Sequence, residues 1–113
     1  MTALGGERHH FVSTKALTSN GYSYTTAPAI RMTQADHYKT GSRGGGTTAT
    51  AFTTQEIALL KAKKYQELMQ LEVNDFKASS DPDGKYSSLA DKYLDQIVAT
   101  LARCEKYFGF VSQ

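Results

Sequence analysis

Tryptophan, paired cysteines and long apolar runs are all missing from this chain of 113 residues. No stretch approaches the ~18 consecutive apolar residues that a membrane-crossing helix needs, so no spanning segment is expected. A single cysteine, Cys104, excludes an intramolecular disulfide and points to a reducing compartment. Charge of one sign is scarce as well: 13 Lys and Arg stand against 11 Asp and Glu, a net charge of +2. So weak an excess argues against a dedicated nucleic-acid binder. The N-terminus lacks the short apolar core of a secretory signal, and Glu7 argues against an organelle transit peptide. The expectation is a soluble, intracellular protein of one small domain.

What is present divides at Thr53. Residues 1–52 are rich in Gly, Thr, Ser and Tyr, and their apolar residues occur singly or in pairs, as in Phe11-Val12, Leu17, Ile30 and Met32. This half holds Arg8, Lys15, Arg31, Lys39 and Arg43 against Glu7 and Asp36, so it is the basic one. Gly41 to Thr50 is low in complexity and reads as a linker. Tyr22, Tyr24 and Tyr38, set between small polar residues, suit an extended chain laid in a partner's groove with each ring as an anchor. Asn20-Gly21 is the dipeptide of a tight hairpin turn, and Pro28 pushes Ala27 to extended geometry. Residues 1–52 are therefore expected to form a largely irregular arm with no core of its own.

Residues 53–113 carry most of the large aliphatic side chains at helical spacing. Thr53 with Glu56 makes a capping box, flanked by Phe52 and Ile57 as a hydrophobic staple. No Gly or Pro follows until Asp81-Pro82-Asp83-Gly84, which predicts one helix over 54–78. Its apolar residues form two stripes, Ile57, Leu60, Leu68 and Leu71 in one and Ala58, Ala62, Tyr65, Met69, Val73 and Phe76 in the other. Two arrangements fit: one stripe packs and Tyr65, Met69 and Phe76 face a partner, or both belong to one broad face of a bent hairpin. A second helix over 88–108 starts at Ser88, with Ala90, Leu94, Ile97, Leu101, Cys104 and Phe108 as a coiled-coil-like seam that also permits self-association, and ends at Gly109. The predicted fold is mainly α: an antiparallel two-helix hairpin trailing an extended N-terminal arm.

Catalytic and metal signatures are weak. Counting from Ser79, Asp81, Asp83 and Gly84 occupy EF-hand positions, but Ser79 and Ala90 stand where the end carboxylates belong, so a plain turn is expected there. His9, His10 and His37 make no zinc pattern with the distant Cys104 and are expected to be solvated. Cys104 has no histidine in its own half to act as a base. Gly44-Gly45-Gly46 is not followed by the Lys-Ser/Thr of a phosphate loop. No catalytic residue, cofactor or metal is expected.

The combination suggests a structural or adaptor subunit whose arm threads across its neighbours. In architecture it resembles the small microtubule inner proteins of cilia and flagella, which join an extended Tyr-, Gly- and Thr-containing arm to a short helical segment. The helix from Gln55 to Lys64 is similar to helices of that group. The resemblance implies tubulin as a partner and a cytoskeletal location in the ciliary axoneme. Accessory subunits of respiratory or photosynthetic complexes fit the same description, and a weakly basic nucleic-acid-associated protein is the reading from another class.

Overall fold

The computed structural model of the chain describes residues 7–37 and 47–111. Tyr38 and the glycine run Gly44-Gly45-Gly46 lie outside the described residues. The fold is mainly helical, as the sequence predicts. Strand β1 (Glu7–His10) pairs antiparallel with β2 (Ala29–Met32), matching Arg8 with Arg31 and His9 with Ile30. Helix α1 (Thr14–Ser19) lies between them in sequence, and α2 (Gln34–His37) follows. The second half forms α3 (Thr47–Lys61), α4 (Tyr65–Ala78), α5 (Leu89–Lys92) and α6 (Leu94–Phe108).

Residues 7–37 differ from the expected arm. Phe11, Val12, Ala16, Leu17, Ala27, Ile30 and Met32 join the buried cluster that also holds Leu60, Leu68, Phe76, Leu89, Ile97 and Cys104. The reason is pairing across distance. In β2 the pleat turns Ile30 and Met32 inward and Arg31 outward, and β1 reaches this strand only through the intervening loop and α1. Each such Leu, Ile or Phe contributes about 1.5–3 kcal/mol by leaving water, so isolated apolar residues suffice once they converge.

Asn20-Gly21 closes α1 instead of a hairpin. Gly21 takes φ +82°, and the amides of Gly21 and Tyr22 bond back to the carbonyls of Thr18 (3.2 Å) and Leu17 (2.9 Å), a complete Schellman cap. The same device divides the predicted helix over 54–78. Lys63 adopts φ 58°, and the amides of Lys63 and Lys64 bond the carbonyls of Leu60 (3.0 Å) and Leu59 (2.9 Å). Leu60 and Met69 are about two and a half turns apart in an unbroken helix, hence on opposite faces. The turn at Lys63 lets both enter one core.

Because α3 already begins at Thr47, Thr53 is interior and the expected capping box does not form. The second helix starts where predicted: Ser88 Oγ accepts from the Asp91 amide at 3.3 Å. It is broken at Tyr93, then runs as α6 to Gly109, whose φ of 77° makes it the C-cap. The restart at Leu94 sets the buried face to Ile97, Thr100, Cys104 and Phe108. Leu94 consequently leaves the predicted seam and Leu101 is half-buried.

Candidate functional site

The residues expected to bind a partner fall into three groups. Met69 and Phe76 are buried, with Phe76 against the rings of His9 (5.4 Å between centroids) and Phe11 (6.1 Å). Phe76 holds the N-terminal half down, and neither side chain offers an outer face; His9 is correspondingly buried, not solvated. Tyr22 and Tyr65 meet each other. Their hydroxyls are 3.4 Å apart, Tyr22 stands edge-on to Phe108 at 5.2 Å, and Tyr65 stacks on Phe108 and Phe110 at 5.5 and 5.1 Å. Hydrogen bonding to Tyr65, then burial, pushes the Tyr22 phenol up to about 12. Tyr24 is exposed, with its carbonyl 2.9 Å from His10 Nε2.

Sequence reasoning missed two polar clusters. Glu56 on α3 and Glu72 on α4 are 0% and 2% exposed and share a hydrogen bond. Glu56 also accepts from the amide (3.2 Å) and the hydroxyl (2.6 Å) of Ser13, whose oxygen in turn caps α1 at the Ala16 amide. Glu56 thus serves a helix start 43 residues away in sequence. Burial first, and the bond to Glu56 second, raise the Glu72 pKa well above its ordinary value, so Glu72 is the member of the pair that holds the proton. Its Oε2 is buried and has no hydrogen-bond partner among the described residues. A proton-sharing acid pair can drive acid–base chemistry where substrate reaches it. This pair is sealed in the core, so its consequence is for stability.

The sign follows from linkage. Glu72 is protonated in both states below the ordinary carboxyl value of about 4.3. As pH rises, the unfolded chain releases the proton freely while the folded chain must retain it, so stability declines up to the raised folded pKa. Glu72→Gln keeps the shape and still donates to Glu56. It is expected to raise stability at pH 8 by about 1–3 kcal/mol, the range for an unfavourable buried polar group, and to change little near pH 4.5. Urea unfolding at the two pH values checks this; a parent protein equally stable at both would refute it.

The second cluster occupies the segment tested above as a calcium loop. Asp81 accepts from the amides of Asp83, Lys85 and Tyr86 at 3.1, 2.9 and 3.0 Å. Burial opposes ionisation of Asp81, but these donors and Lys92 outweigh it and hold its pKa low. Lys92 Nζ, partly exposed, sits among the buried Asp36 (2.9 Å) and Asp81 (3.4 Å) and the exposed Asp83 (3.6 Å). Tyr93 donates to Asp36 at 2.5 Å, and burial followed by that bond pushes its phenol up to about 12. This knot ties α2 and the α4–α5 turn to α5. Cys104, the only cysteine, is fully buried on α6, and burial pushes its thiol up to about 12.

On the surface, α6 carries an outer apolar pair, Leu94 at 56% and Val98 at 60% exposure, beside the exposed acids Asp91 and Asp95. Among the described residues no helix is long and apolar enough to cross a membrane, and no three His, Cys, Asp or Glu side chains are grouped to hold a metal ion. No protein family, curated protein or solved structure matches the chain.

Proposed function

We propose that the chain is a non-catalytic binding subunit of a larger protein assembly, docking through the outer face of α6. The observation that carries this reading is the Leu94–Val98 pair. The two side chains lie one helical turn apart on the face away from the core, so they form a continuous ridge. Covering each contributes up to about 1.5–3 kcal/mol. Asp91 and Asp95 at the head of the ridge favour a partner that sets a basic residue beside its own apolar contact. The acid pair and Cys104 are buried, which supports a binding role over a catalytic one.

The architectural resemblance to microtubule inner proteins makes tubulin in the ciliary axoneme the first partner to try, ahead of respiratory or photosynthetic complexes. Tyr24, exposed on the packed N-terminal half, then contributes a further contact, while the second helix contributes through its outer face and not the predicted seam. Gel filtration of extract from source cells tests the reading: the full chain should elute in a large particle. Leu94→Ser/Val98→Ser, made at exposed sites, should elute at the mass of a 12.4 kDa monomer with its helical circular dichroism intact. A parent chain that itself elutes as a free monomer refutes the proposal. Co-sedimentation with polymerised tubulin then separates microtubules from other assemblies.

A further inference from the structure

A groove of about 500 Å³ opens between the β1–β2 ribbon and the last turns of α6. Its cationic side chains are Arg8 from β1 and Arg103 and Lys106 from α6; its apolar walls are Pro28, Ala29 and Tyr107, and among the described residues no acidic side chain lines it. Arg103 is held in place, with Nη2 donating to Thr100 Oγ1 at 2.9 Å and to the Ala29 carbonyl at 3.4 Å, and its remaining N–H groups are left for a ligand. Tyr107 is fixed by its hydroxyl, which donates to the Ser23 carbonyl, and by its ring against Phe108 at 5.0 Å.

The adjoining ribbon adds to the positive charge. Arg8 and Arg31 are directly opposite in the antiparallel register, and both are exposed. Directly opposed like charges destabilise a strand pair. They also raise the local potential, as do Arg103 and Lys106 alongside. Arg8, Arg103 and Lys106 thus line one open groove with a fixed aromatic wall, and Arg31 stands on the adjoining ribbon.

We propose that this groove binds a nucleoside triphosphate or diphosphate, with the phosphates on Arg8, Arg103 and Lys106 and the base against Pro28 and Tyr107. Arginine matches phosphate oxygens with paired N–H donors, and lysine adds a point charge. The volume is that of a small-ligand site. The inference stands apart from docking through α6 Leu94 and Val98, which lie on another face.

Isothermal calorimetry on the full chain, in 50 and 200 mM salt, tests it with ATP, inorganic tripolyphosphate and a short single-stranded oligonucleotide as probes. The expected result is saturable one-to-one binding of ATP, weaker binding of tripolyphosphate, and weakening of both in the higher salt. Arg8→Glu and Lys106→Glu, at exposed positions, should each weaken ATP binding about tenfold or more, with unchanged circular dichroism. Leu94→Ser/Val98→Ser should bind ATP as the parent does. Tripolyphosphate binding as tight as ATP overturns the role given to the base. Binding of the oligonucleotide without ATP overturns the proposal in favour of a nucleic-acid surface, and binding of no probe, or ATP binding indifferent to both charge reversals, overturns it outright.

Discussion

Phe11→Ala is expected to destabilise the fold by about 3–5 kcal/mol, the range for removing a buried aromatic ring. Phe11 is fully buried, and its ring lies against Phe76 of α4 while its amide bonds the Pro28 carbonyl at 3.1 Å. The loss therefore includes both transfer energy and a cavity at the join between the two halves of the chain. A small domain has about 5–15 kcal/mol in total, so the variant should be substantially unfolded at modest urea concentrations. Tyr24→Ala, at an exposed ring in the same half, should shift the midpoint by less than about 0.5 kcal/mol. Urea titrations of both decide between an integral N-terminal half and a dispensable arm: equal, small effects would mean that residues 7–37 do not pack as described.

Lys92→Met should be of comparable size, about 3–5 kcal/mol, because it leaves a buried carboxylate without its cation. Asp36 is 1% exposed and has Lys92 Nζ at 2.9 Å. Methionine keeps most of the volume of the stem, so the loss reports charge and not packing. The hydrogen bond to Asp36 raises the Lys92 pKa even though partial burial opposes it. While Asp36 is ionised, the stability contributed by the raised Lys92 pKa is accordingly complete below the free lysine value of about 10.4 and is lost as pH climbs through the higher folded value. The double variant Lys92→Met/Asp36→Asn removes the stranded charge while Asn can still accept from Tyr93, so it should recover much of the loss. A double variant no more stable than Lys92→Met would show that the ion pair is not the source of the effect.

The sequence exposes those parts of the fold that are fixed locally. Ser88 as a cap, Gly109 as a stop and the inward run of Ile97, Cys104 and Phe108 are all read within one helix and its ends. The break at Lys63 is hidden because lysine, unlike Gly21, gives no sign that the backbone will turn left-handed there; only the need to bury Leu60 and Met69 together requires it. The N-terminal core is hidden for another reason. Its strands are four residues each, too short to display a period, and they meet across the whole of α1. Of the functional candidates, Arg8, Arg103 and Lys106 look like scattered solvated charges until the ribbon is laid against α6. Glu56 was visible as a capping residue, but which helix it caps is a tertiary fact.

Cys104 gives the molecule a clock. Its sulfur is covered by the core and its thiol stays protonated at neutral pH, while thiol reagents attack the thiolate. Alkylation of the native protein must therefore wait for a transient opening around α6. With one cysteine in the sequence, every labelled molecule records the same event. When closing is fast relative to alkylation, the labelling rate measures the free energy of that opening, and when alkylation is faster it measures the opening rate itself.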